Sequence, residues 1–212
     1  IMDLFVILPI LFFSIVLHEF AHGYAAYKMG DDTAYLMGRL TLNPLAHIDL
    51  MGTIVVPAVC YFFGAPMFGW AKPVPINTLR LPNPIKSMGK VSLAGPSANL
   101  ILAVICAALI KLVLVTGWLS PQGAEKAVSC FVYGMQINVL LAVFNLMPLL
   151  PLDGGHILMA LLPIKAALAY GAFMGRFGMY IVFGLIFTGL FRHILYPPMY
   201  LVIMLLSKIF ML

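Results

Sequence analysis

The chain is predicted to be an all-α polytopic membrane protein, with about five spanning helices, a short re-entrant segment and a small β-hairpin at the membrane surface. Two observations carry this. Of its 212 residues, 63% are hydrophobic and 9% charged, far from the roughly 45–50% apolar and ~25% charged of a soluble domain. Several apolar runs also approach or exceed the ~18 residues that a helix needs to cross a bilayer. None has the layout of a cleavable signal peptide, so the first run is read as retained structure.

The runs at 4–28, 91–115, 129–147, 175–191 and 194–211 are the predicted spanning helices. Between the first two, "AYLMGRLTLNPLAHIDL" alternates apolar residues around Gly and Asn-Pro, which predicts a hairpin over 33–48. The stretch "MGTIVVPAVCYFF" at 51–63 is too short to span and holds a proline, which predicts a re-entrant segment. Prolines then crowd "FGWAKPVPINTLRLPNP", so 69–77 reads as an extended loop. There is no internal repeat and no stretch long enough for a soluble domain. The expectation is one membrane-embedded domain over 1–212, with a core at about 4–160 and C-terminal helices at about 164–212.

A net charge of +5 does not point to nucleic acid, because the basic residues sit between apolar runs and form no stripe interleaved with aromatics. The three cysteines have neither disulfide-framework nor metal-site spacing.

The chemistry lies in the first run. His18, Glu19 and His22 form H-E-x-x-H. On a helix, positions i and i+4 share a face, so two imidazoles can reach one ion while Glu19, about 100° round the axis, can reach a water beside it. With five His and two Glu in the chain, chance places this pattern in roughly one shuffled sequence per thousand. Ionisable groups at membrane depth are costly and are functional candidates by default. A purely structural reading, in which the histidines bond neighbouring helices, leaves Glu19 unexplained.

Catalytic zinc usually takes three protein ligands and keeps a fourth position open. The remaining candidates are Asp3, Asp31, Asp32, Asp49, Glu125, Asp153, His47, His156 and His193. Asp153 stands out in "NLMPLLPLDGGH", where two prolines break an apolar helix and a carboxylate precedes two glycines. Irregular backbone at membrane depth is tolerated where it lines a cavity. His156 is weighed as a partner to a metal ligand against a structural role. His47 and Asp49 read as interfacial anchors and His193 as a helix-end flank, while Gly95, Pro96 and Asn99 read as packing positions.

Taken in order, H-E-F-A-H at 18–22, A-G-P-S-A-N at 94–99 and N-L-M-P-L-L-P-L-D-G-G-H at 145–156 resemble the motifs of the site-2 protease family of intramembrane zinc metalloproteases. "GWAKPVPIN" and "NPLAHID" resemble its compact bacterial branch, and no PDZ or CBS domain is expected. The resemblance implies zinc held by His18, His22 and Asp153, Glu19 as general base, and Asn145 helping to hold the substrate backbone. It further implies a transmembrane-helix protein as substrate and a bacterial inner membrane as location. A metal-ion transporter is the rival function, but a transporter has little use for a base adjacent to a ligand.

For His22 and Asp153 to meet one ion, the helices at 4–28 and 129–147 must run parallel, with 91–115 as the one crossing between them. Nine basic residues then lie on the side where the first helix ends, and three on the other. By the positive-inside rule the site is expected to open towards the cytoplasm.

Overall fold

A computed structural model describes residues 4–62 and 70–212. Asp3, residue 63 of the short apolar stretch and residue 69 of the extended loop lie outside the described residues. Helix α1 covers Leu4–Lys28, the whole of the first apolar run. Gly30, at φ +103°, turns the chain, and Asp31 N–H closes the helix on Ala26 O at 3.0 Å.

The expected β-hairpin does not form, and there is no strand among the described residues. Residues 33–48 instead give a single turn of helix, α2 at Thr33–Leu36, a bend through Gly38 and a 3-10 turn at Pro44–His47. The reason is local. Asn43 Oδ1 accepts from Leu45 N–H at 3.1 Å, and Pro44 has no N–H to give a ladder, so turns satisfy the backbone.

The expected re-entrant segment is likewise not supported as such. Asp49 Oδ1 accepts from Gly52 N–H at 2.7 Å, which starts a helical arm at once: a π-helical turn at Leu50–Val55 runs into α3 at Val56–Phe62. The base of the arm is tied to the returning chain. Trp70 N–H donates to Gly52 O at 3.0 Å, and the Thr53 hydroxyl donates to Trp70 O at 3.0 Å.

Residues 70–77 are extended, as their prolines require. They form a strap clamped at both ends. Lys72 N–H donates to His47 O at 2.9 Å, Arg39 Nη2 donates to Lys72 O at 2.9 Å, and Asn77 N–H donates to Asp31 Oδ2 at 2.6 Å.

Four more long helices follow a 3-10 turn: α4 at Pro84–Thr116, α5 at Pro121–Asn145, α7 at Ile164–Phe187 and α8 at Leu190–Phe210, with the short α6 at Asp153–Leu161 between α5 and α7. With α1, five helices among the described residues are long and apolar enough to cross a membrane. Three begin well before the apolar runs that predicted them. Asn83-Pro84, Ser120-Pro121 and Pro163 each start a helix, the first two with a side-chain cap. Caps and proline at the first turn decide where a helix starts, whereas hydropathy marks only its lipid-facing middle. As a result Arg176 sits midway along α7 instead of flanking a span.

The helix directions follow from the contacts. On α1 and α4, Ser14 and His18 meet Asn99 while His22 meets Val91, so these helices are antiparallel. On α1 and α5, Ile10 lies beside Gly134 and Ser14 beside Asn138, so these two run parallel, as a shared ion between α1 and the segment after α5 requires. Lipid is as apolar as leucine, so such helices associate by close packing and by interhelical hydrogen bonds. Ala103 and Ala107 of α4, Met135 and Val139 of α5 and Leu206 of α8 make the buried cluster.

Candidate metal centre

The fold brings His18, His22 and Asp153 together. His18 Nε2 and His22 Nε2 lie 3.0 Å apart, and each is 3.2 Å from Asp153 Oδ2. The two histidines follow from helical spacing. Asp153 arrives because the chain bends after α5 and restarts as α6 with this residue in its first turn.

Two glycines permit the approach. A Cβ on Gly95 of α4 would strike the His22 ring and lie 2.7 Å from His18 Cε1. A Cβ on Gly154 would meet the carbonyls of Leu146 and Met147. The link between α5 and α6 also leans on α7, where the Tyr170 hydroxyl donates to Pro148 O at 2.8 Å.

The far side of each imidazole is held. His22 Nδ1 donates to Val91 O at 2.8 Å; a carbonyl can only accept, so the proton sits on Nδ1 and Nε2 presents a bare lone pair. His18 Nδ1 meets Asn99 Oδ1 at 2.7 Å. Asp153 Oδ2 is buried and accepts no hydrogen bond. Buried acceptors facing one another without a proton between them are costly unless a cation lies among them. Zinc bound tetrahedrally at about 2.0–2.2 Å sets its ligand atoms ~3.3–3.5 Å apart, so edges of 3.0 and 3.2 Å are close to the right size. The donor set fits zinc.

Glu19 lines the same cavity, of about 350 Å³, together with Val74, Asn145 and His156. Its Oε2 accepts from Val74 N–H of the strap at 2.9 Å. Asn145 faces the cavity but gives its Nδ2 to Leu141 O of its own helix at 3.0 Å.

The other candidates lie elsewhere. Asp31 bonds the backbone and hydroxyl of Thr33 and the strap, and Asp32 pairs with Arg80. His47 is buried with Nε2 on Thr41 O at 2.9 Å, and Asp49 caps the arm, so both are engaged in local turns away from the three converging side chains. Glu125 and His193 are exposed. Ser14 and Asn138, which the sequence reading passed over, join Asn99 in a buried polar chain behind His18. The signal was available, since an asparagine within an apolar spanning run is itself a functional candidate.

Residues 115–188 match the family described as Peptidase family M50. The chain is 39% identical over 191 residues to "Putative zinc metalloprotease YwhC" of Bacillus subtilis (strain 168), covering 87% of this chain and 81% of that protein. It is 34% identical over 141 residues to "Putative zinc metalloprotease Rip2" of Mycolicibacterium smegmatis, 66% of this chain and 51% of that one. Against the protein of the same name from Mycobacterium tuberculosis the identity is 32% over 142 residues, again spanning 51% of the relative. No solved structure matches the chain.

Proposed function

Because the chain belongs to peptidase family M50 and is an integral membrane zinc metalloprotease, we propose that His18, His22 and Asp153 hold its zinc and that Glu19 is its general base. The substrate is a membrane protein, cut within or near a transmembrane helix. The observation that carries this reading is the convergence of two imidazole nitrogens and an unpartnered carboxylate oxygen on one point of a cavity that Glu19 also lines.

When bound, zinc supplies a Lewis acid that polarises a carbonyl and acidifies water. The chain's own residues do the rest. Glu19 takes a proton from the attacking water and returns it to the leaving amine, with the Val74 N–H fixing one carboxylate oxygen so that the other can face the cavity. His18, His22 and Asp153 hold their positions through Asn99, Val91 and the bend before α6. A substrate helix hides its carbonyls in its own hydrogen bonds and must unwind locally before attack. The cavity, walled on one side by the extended strap, suits an unwound segment, and Asn145 at its edge is placed to contact the backbone.

With the helix limits above, eight basic residues lie on the side where α1 ends and three on the other, with Arg176 in mid-helix. The positive-inside rule then puts the open side of the site in the cytoplasm, and the bacterial relatives support an inner membrane. We take 1–212 as one membrane-embedded unit, with the zinc core at about 4–160 and the helices at about 164–212 buttressing it.

The test is reconstitution of wild type and Glu19→Gln in liposomes carrying tagged single-span membrane proteins, following both cleavage and zinc entry. Cleavage by wild type alone, with equal zinc content in both forms, is expected. Zinc flux in both forms with cleavage in neither overturns the reading in favour of a transporter.

A further inference from the structure

The polar chain behind His18 crosses three helices. Ser14 of α1, Asn99 of α4 and Asn138 of α5 are 1%, 0% and 2% exposed, within segments long and apolar enough to span. Each contact has a direction. Asn138 Nδ2 lies 2.9 Å from Gly134 O, a pure acceptor, so this end of the side chain is the NH₂ group. It also donates to Ser14 Oγ at 3.0 Å, whose own proton goes to Ile10 O at 2.8 Å.

Asn138 Oδ1 is therefore an acceptor, and the atom 2.9 Å away, Asn99 Nδ2, donates to it. A second backbone carbonyl, Ser14 O, receives the same Asn99 Nδ2 at 3.3 Å. Asn99 Oδ1 must then face His18, and an acceptor 2.7 Å from His18 Nδ1 requires the ring proton to sit there. His18 Nε2 is left bare and aimed at His22 and Asp153.

We propose that Asn138 is a positioning residue of the zinc site: acting through the Asn99 amide, it holds His18 in the one tautomer whose Nε2 can bind the metal. This rests on the reading of His18 as a ligand. Without Asn138, Asn99 loses one of the two acceptors that fix its amide. The amide can then turn to present NH₂ to His18, which favours the opposite tautomer and puts a proton where the metal belongs. The neighbouring His22 needs no such device, because a backbone carbonyl that cannot turn fixes its ring.

The experiment measures the zinc affinity of the full chain in nanodiscs by chelator competition, and the visible spectrum of the cobalt-loaded protein. The variants are Asn138→Leu, Asn99→Leu, their double, and His18→Ala. Asn138→Leu should weaken zinc binding by about 10–100-fold, the usual cost of losing a group that orients a ligand, and shift the cobalt bands. Combined with Asn99→Leu it should add nothing, since both act on one ring. A role in packing alone would instead lower thermal stability with zinc affinity unchanged, and either that result or full additivity in the double overturns the proposal. If Asn138→Leu fails to fold, Asn138→Ser, too short to reach Asn99, is read by the same criteria. His18→Ala separates the two levels. Lost zinc in His18→Ala with unchanged affinity in Asn138→Leu rejects only this inference, while unchanged zinc in His18→Ala rejects the ligand assignment beneath it.

Discussion

The backbone N–H of Val74 donates to Glu19 Oε2 at 2.9 Å, so the strap that closes the cavity also holds the proposed base. Pro73 and Pro75 flank Val74 and keep the backbone extended, a conformation that a third proline tolerates. Val74→Pro should therefore delete the donor with little change in the strap and lower kcat about tenfold, the low end of what a hydrogen bond to a charged group contributes. KM should move less, and Val74→Ala, which keeps the N–H, should stay near wild type. Equal kcat in Val74→Pro and wild type would show that the strap does not aim Glu19.

Asp153 places an unpartnered oxygen 3.2 Å from both imidazoles. Asp153→Ala should lower zinc affinity by more than about 100-fold, beyond the range for groups that merely orient a ligand. Elemental analysis of purified protein checks it, and unchanged zinc content would sink the assignment.

Gly95 has no room for a side chain against the two rings. Gly95→Ala should push the imidazoles apart, costing about 1–3 kcal/mol of stability, as overpacking usually does, and with it most of the bound zinc. Retention of full zinc content in a folded Gly95→Ala protein would mean that α4 can move away without disturbing the site.

The base of the arm at 50–62 is bonded to the strap, with Gly52 and Thr53 on Trp70. Cysteines at Leu50 and Lys72 should both react with a membrane-impermeant reagent applied from the side that labels Lys165→Cys, and not from the side that labels Glu125→Cys. Labelling of Leu50 and Lys72 from opposite sides would contradict this topology.

The sequence by itself determined the class of the protein and the heart of its site. Hydropathy picked out five helices long and apolar enough to span, because lipid demands long apolar runs whatever surrounds them, and the 3.6-residue period put His18 and His22 on one face without help from the rest of the fold. Glu19 between them, and Asp153 in a broken helix end, pointed to the same chemistry. Helix starts were less legible, since α4 and α5 begin at side-chain caps in polar stretches that hydropathy ignores, and α7 begins directly after Pro163.

Only the tertiary structure decided the rest. The alternation over 33–48 looked like a strand pair, but a strand needs a partner and the local Asn, Asp and Gly turns satisfied that backbone first. Only packing put Val74 on Glu19, or linked Asn138 through Asn99 to His18, because those contacts join residues 39 to 81 positions apart in the chain. Local periodicity cannot encode a separation of that kind. It arises when small residues such as Gly95 and Gly154 let helices come close enough for buried polar groups to find one another.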